Sequence, residues 1–344
     1  MKHNILLFLS LTIISSNVIA QVQRDNIDLV GQISLKRSEF DHPSDVYVKG
    51  NYAYVLFIGN LSIVDVSNPK NPVEVSRFEM TIKTGDHSWD VYIADKYAYV
   101  TDPSGIHIID VSDPKKPVEV CFYPYDPSYI FVSGKYAYVS NRDSLLILDV
   151  SDPKNPEKKG ICYLPSLMPW RLYVAGDYVY LINRMFGFYI IDVSAPQDPK
   201  VVVKQNIPKM PEAIYVAGNY AYIIVTTNGF YIIDVSDPKN PKELSHYPTI
   251  VGAMGDVCVA GDYAYITDMG WGLSVLDVSD PNDPEEVGFY DSPGTCEVDV
   301  AGVYAYIANY DGVLSILRYE KGTPPKVSID PNHKLVITWA HLKK

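Results

Sequence analysis

Between Leu29 and Tyr319 the chain is built from short runs in which apolar and polar residues alternate, cut off every few residues by turn formers. One stretch shows the pattern clearly: "DVYIA" (90–94), "YAYVT" (97–101), "IHIIDV" (106–111) and "VEVCFY" (118–123). Asp95-Lys96, Pro103-Ser104-Gly105 and "SDPKKP" (112–117) separate these runs. Tyrosine, valine and isoleucine dominate, as a pleated strand with one or both faces covered requires. No window sustains a helical period. The pattern predicts four short antiparallel strands per unit and an all-β chain.

The unit repeats. The first tyrosines of its "YAY" or "YVY" element are Tyr52, Tyr97, Tyr136, Tyr178, Tyr220, Tyr263 and Tyr304, spaced 45, 39, 42, 42, 43 and 41 residues apart. A "DVS" element starts at Asp65, Asp110, Asp149, Asp192, Asp234 and Asp277, and a "PxxP" pair follows each one. Four strands per unit of about 42 residues is the signature of a β-propeller blade. One blade cannot bury both its apolar faces, but seven stacked around an axis can. The expected fold is a seven-bladed propeller over residues 27–319. The seventh unit lacks the proline pair and a fourth strand, and Arg318 stands where the others carry the "DVS" aspartate. "DLVGQISL" (28–35) resembles the fourth strand of unit six. Leu29 to Ile33 is therefore expected beside Leu314 to Leu317, closing the ring and removing an open sheet edge.

These units resemble the LVIVD repeat of exported bacterial β-propeller proteins. "LSIVDVSNP" (61–69) and "LSVLDVSDP" (273–281) carry the resemblance in the third strand, and "VAGDYAYITD" (259–268) carries it in the hairpin before. The resemblance implies the propeller scaffold and names no activity. The chain does not fit a WD40 pattern: Trp89-Asp90, its one "WD", begins a first strand instead of ending a third.

The two ends read differently. Residues 1–20 combine Lys2, an apolar run from Ile5 to Ile14 and small residues before Gln21, the pattern of a cleaved secretory signal. Residues 320–344 hold a proline-rich linker and two alternating runs, "KVSID" and "KLVITW", a β-hairpin resembling the truncated start of a fibronectin-type sandwich. The chain is expected to be exported to the periplasm, cell surface or medium, as a monomer without a transmembrane segment. Its net charge is −12, which disfavours nucleic acid as a partner and tolerates a divalent cation. Four cysteines, Cys121, Cys162, Cys258 and Cys296, show no metal spacing and read as small buried hydrophobes.

Catalytic and cofactor signatures are absent: no GxSxG, HExxH, phosphate-cradling or dinucleotide glycine motif occurs. No cofactor is expected. The "DVS" aspartates, and Asp102, Asn141, Asn183, Asp268 and Asn309 after the "YAY" element, read as turn formers. The repeated tyrosines read as filling between blades. The units disagree where the chain enters each innermost strand. There the sequence reads "HPSD" (42–45), "HSWD" (87–90), "DPSY" (126–129), "MPWR" (168–171), "MPEA" (210–213), "AMGD" (253–256) and "GTCE" (294–297). The residues singled out for ligand contact on this rim are His42, Asp45, His87, Trp89, Asp90, Tyr129, Trp170, Arg171, Asp256, Trp271 and Glu297. The expected function is a binding or scaffold module presenting the rim to a surface or extracellular protein or glycan. The alternative is a hydrolase or lyase using His42, His87, Asp45 and Asp90. The opposite rim, made of near-identical turns, is expected to be uniform and without distinct concave chemistry.

Overall fold

The computed structural model describes residues 26–37, 42–80, 89–164, 169–183, 187–205, 207, 210–226, 228–248 and 255–320, with 169 and 170 described for their backbone alone. Its strands form seven four-stranded antiparallel sheets arranged as blades. Blade 1 runs Pro43–Lys49, Tyr52–Phe57, Asn60–Asp65 and Val73–Glu79 from axis to periphery. Blades 2 to 6 repeat that order. Blade 7 takes three strands from the end of the described chain and its outer strand, Ile27–Ser34, from the beginning. Leu29 pairs with Leu317 and Ile33 with Leu314, as the missing fourth strand predicts, with a bulge between Leu29 and Gly31.

Second and third strands are almost wholly buried, because each lies mid-sheet with a neighbouring blade over each face. The core is accordingly a set of inter-blade layers. Tyr54, Leu56, Leu61 and Ile63 of blade 1 pack on Val91, Ile93, Ala98 and Val100 of blade 2. Val46, Val55 and Val64 pack in turn on Tyr306, Leu314 and Ile316 of blade 7. Each such Ile or Leu contributes about 1.5–3 kcal/mol relative to exposure.

The repeat landmarks do turn work. All six "DVS" aspartates accept the amide of the serine two residues on, from Asp65 and Ser67 to Asp277 and Ser279. Asp102, Asn141 and Asp268 shape the loops between second and third strands in the same manner. Each fourth strand then meets the next blade's proline turn. Ser76 donates to the Pro114 carbonyl at 2.6 Å and Ser245 to that of Pro281 at 2.7 Å. Gly31 and Gly160 approach so closely that a Cβ would stand 2.1 Å from the carbonyl oxygens of Pro69 and Pro196.

Cys162 and Cys258 are buried as expected, whereas Cys121 and Cys296 are only half-buried, and all four are free thiols. No helix among the described residues is long and apolar enough to cross a membrane. The leader over residues 1–20 and the hairpin after Glu320 lie outside the described residues.

Candidate functional site at the channel mouth

The first strands enter from one rim, and their pairing fixes a common level. Val46, Val91, Ile130, Leu172, Ile214, Val257 and Val298 all pair with equivalent second-strand residues. The residue before each, namely Asp45, Asp90, Tyr129, Arg171, Ala213, Asp256 and Glu297, therefore occupies one ring. The ring faces the axis, since Arg171 of blade 4 reaches across to blades 6 and 7. Its Nη1 donates to Asp256 Oδ1 at 2.5 Å, and its Nη2 to Glu297 Oε1 and Oε2 at 2.6 and 2.7 Å. The same guanidinium lies 5.3 Å from the centre of the Tyr129 ring.

The aspartates also join the blades. Asp45 accepts its neighbour Val46 N through Oδ1 and Val91 N of blade 2 through Oδ2, both at 2.8 Å. Asp90 accepts Ile130 N of blade 3 at 2.7 Å, and Asp256 accepts Val298 N of blade 7 at 3.3 Å. One level deeper, Asp299 accepts Val48 N of blade 1 at 2.6 Å, closing the circuit from blade 7. An aspartate oxygen reaches one atom further from its Cα than a peptide oxygen does, far enough to meet the amide of the next blade.

Crowding acids around one guanidinium has a protonation cost. Burial, then the charges of Asp90 and Glu297, hold the Asp45 carboxyl well above its ordinary range. Burial also raises Asp90, which shares a hydrogen bond with Asp45. Glu297 is pushed up to about 8 by burial, with Asp256 adding to it and Arg171 opposing. Burial raises Asp299 to about 6. For Arg171, burial acts to lower the pKa, but the charges of Asp256 and Glu297 outweigh it and raise it well above its ordinary value. Burial and their mutual proximity thus favour the protonated form of both carboxyls of the Asp45–Asp90 pair relative to free aspartates.

Below this ring the channel is filled. Tyr47, Tyr92, Phe131, Tyr173 and Tyr215 of blades 1 to 5 contact one another in sequence, with ring centres 5.0, 4.6, 4.8 and 4.7 Å apart. Cys258 and Asp299, 3.8 Å apart, complete the circle. The inner tyrosines of the repeated "YAY" element do lie between blades, as Tyr54 does against blade 2, but the sequence reading missed this separate layer. The signal is present as the middle residue of "VYV", "VYI", "IFV", "LYV", "IYV", "VCV" and "VDV", two positions on from the charged ring.

Above the ring, blades 6, 7 and 1 form an aromatic sector. His42 Nδ1 donates to the Tyr310 carbonyl at 2.6 Å, and its ring stacks on Tyr310 at 3.7 Å with 14° between planes. Tyr310 N donates to Gly294 O and Gly294 N to Met269 O, each at 2.6 Å, while Ser292 N donates to Trp271 O. These bonds tie both loops to one entrance turn. Trp271 and Tyr310 remain 44% and 47% exposed. Trp89 is half-buried, with its amide on Thr101 O. His87 and the Trp170 side chain lie outside the described residues, so the paired histidines stand as a sequence expectation. Among the described residues no three His, Cys, Asp or Glu side chains are grouped to hold a metal. A second buried charge cluster sits off the axis. His107 in blade 2 binds Asp102 through Nε2 at 2.8 Å and Glu119 through Nδ1 at 2.6 Å, and these bonds outweigh burial and raise its pKa.

The sequence profile described as the LVIVD repeat matches residues 42–80, 85–124, 126–163, 168–206, 210–249, 251–292 and 294–317. No curated protein matches the chain. Among solved structures, the Pan2 WD40 domain of Neurospora crassa superposes with a TM-score of 0.69 at 10% identity, covering 89% of this chain and 99% of that one. A chain of a mitotic checkpoint complex gives 0.66 at 12%, covering 92% and 100%. BamB from Moraxella catarrhalis gives 0.57 at 11%, covering 86% and 99%. At such identities the likeness is one of fold.

Proposed function

This chain belongs to the LVIVD-repeat family, and from that premise we propose that it is an exported binding module. Its channel-entrance rim would hold a protein or carbohydrate at or outside the cell surface. One contrast carries the reading. Turns that serve the scaffold repeat in six blades, while the entrance tetrapeptides at the mouth differ in every blade. There two large aromatic side chains, Trp271 and Tyr310, stay exposed on loops pinned by backbone bonds. Exposed rings on a rigid support lose little entropy on binding and suit stacking on a sugar or gripping a peptide. Propellers commonly serve as binding or scaffold modules, and one of similar shape is part of a mitotic checkpoint complex. The leader-like residues 1–20 support export.

The buried Asp45 and Asp90 carboxyls, both raised from their ordinary range, favour a second reading, acid–base catalysis by a hydrolase or lyase. Both carboxyls, however, accept amides of the following blade, and His42 donates to a backbone carbonyl, so these groups already serve the scaffold. Binding is the better-supported function. Screening residues 21–344 against glycan arrays and surface extracts, with and without EDTA, tests it. Trp271→Ala with Tyr310→Ala should weaken any hit at least tenfold and leave the melting temperature within about 2 °C. Undiminished binding by the double variant would remove the rim from the proposal.

A further inference from the structure

The rim opposite the mouth is uniform in six blades and broken at one place. Where third and fourth strands are consecutive, a "DVS" turn joins them and covers the blade's end. Blade 7 has no such turn, because its outer strand comes from the other end of the propeller. A groove of about 530 Å³ remains where the turn would lie, between that strand and the first proline turn of blade 1. This corrects the expectation that the rim has no distinct concavity.

The groove has its own chemistry. Leu29, Val30 and Pro69 give it an apolar wall, and Lys70, Arg318, Asp28, Asn68 and Tyr304 complete its lining. Arg318 occupies the register position of the "DVS" aspartates, pairing with Tyr304 as Asp65 pairs with Tyr52. A ring of six acids is thus interrupted by one base. Arg318 Nη2 lies 2.6 Å from Glu320 and 3.6 Å from Asp28, while Nε is out of water without a hydrogen-bond partner. The Lys70 side chain is exposed and pairs with no described residue.

We propose that this seam groove binds an acidic peptide, with one carboxylate between Lys70 and Arg318 and the adjoining chain along Leu29, Val30 and Pro69. A carboxylate answers the unpaired ammonium and the forked guanidinium. A peptide also supplies apolar contact beside the outer strand, which no further strand covers among the described residues. The chain's own residues 321–344 are poor occupants, with five lysines against one aspartate. The site is independent of the channel mouth and stands or falls apart from it.

The test is fluorescence anisotropy of a labelled hexaglutamate peptide titrated with the full chain. The net charge of −12 repels such a probe from the surface at large, so saturable binding reports a local site. One-to-one binding is expected, weakened at least tenfold by Lys70→Glu and less by Lys70→Gln. Arg142→Glu, at an 82% exposed side chain of blade 3 paired with Asp126, should leave it unchanged. Equimolar inorganic phosphate should not displace the peptide. Absence of saturable binding, equal loss in the Lys70 and Arg142 variants, or displacement by phosphate would each overturn the proposal.

Discussion

Arg171 faces Asp256 and Glu297 directly, with Asp45 and Asp90 in the same ring, so one cation serves more acid than it can neutralise. Replacing it by methionine leaves buried carboxylates unpaired, and denaturant unfolding should show a loss of about 3 kcal/mol. The loss should be smaller at pH 5.5 than at pH 8.5, since Glu297 can then hold a proton instead. Protonation gives a second expectation with a definite sign. Glu297 at about 8 and Asp299 at about 6 bind protons more tightly folded than unfolded, and His107 is raised in the same sense. Their stabilisation is complete below the unfolded values and is lost as pH climbs through the folded ones, between about pH 4 and 8. The "DVS" aspartates are lowered by serine hydrogen bonds and act oppositely, losing their contribution in more acidic solution. The melting temperature should fall from pH 5.5 to 8.5, and Glu297→Gln should flatten the upper part of that fall. A wild-type curve that rises over this range would contradict the assignment. All ring residues were legible in the sequence as the last letter of each entrance tetrapeptide. Their partners were not, because Arg171 meets Asp256 and Glu297 across 85 and 126 residues, and no local pattern encodes that contact.

Strands were legible because the period-two pattern, the turn residues and the repeat agree on every blade, and consistency across levels is what specifies a fold. Register was legible only at the closing strand, where a missing element had to be supplied from elsewhere. The bulges were not, since a bulge looks like ordinary strand sequence with one residue too many. They bring Gly31 and Gly160 against the following proline turns. Alanine at either site has no room, and each substitution should lower stability by about 2 kcal/mol in a denaturant titration. Removing residues 26–36 should do more than destabilise. It strips the partner from Val313–Tyr319, and the bared edge should give light scattering on gentle warming where the intact protein stays clear. A deletion variant that stays monomeric with an unchanged melting temperature would refute closure by this strand.

Taken whole, the molecule separates its support from the proposed binding surface along its axis. The aromatic layer holds the middle of the ring, so Tyr173→Ala should cost about 3 kcal/mol of stability and leave binding at the mouth within twofold. That is the reverse of the outcome expected for Trp271. Calorimetry and one binding assay on both variants would distinguish the two roles. Closure by the first strand also fixes an order of events. During synthesis Ile27–Ser34 emerges before any blade exists, yet its partner Val313–Tyr319 is the last strand of the propeller to be made. Closing a loop of about 280 residues costs about 5 kcal/mol in chain entropy, so this pairing is expected to form after the intervening blades have brought its two strands together. A circular permutant carrying residues 26–36 after Glu320 through a short turn would keep the native pairing and make it a local hairpin. If closure by this strand limits folding, that permutant should refold faster than the wild-type chain in stopped-flow fluorescence, and equal rates would place the bottleneck elsewhere in the order of the sequence.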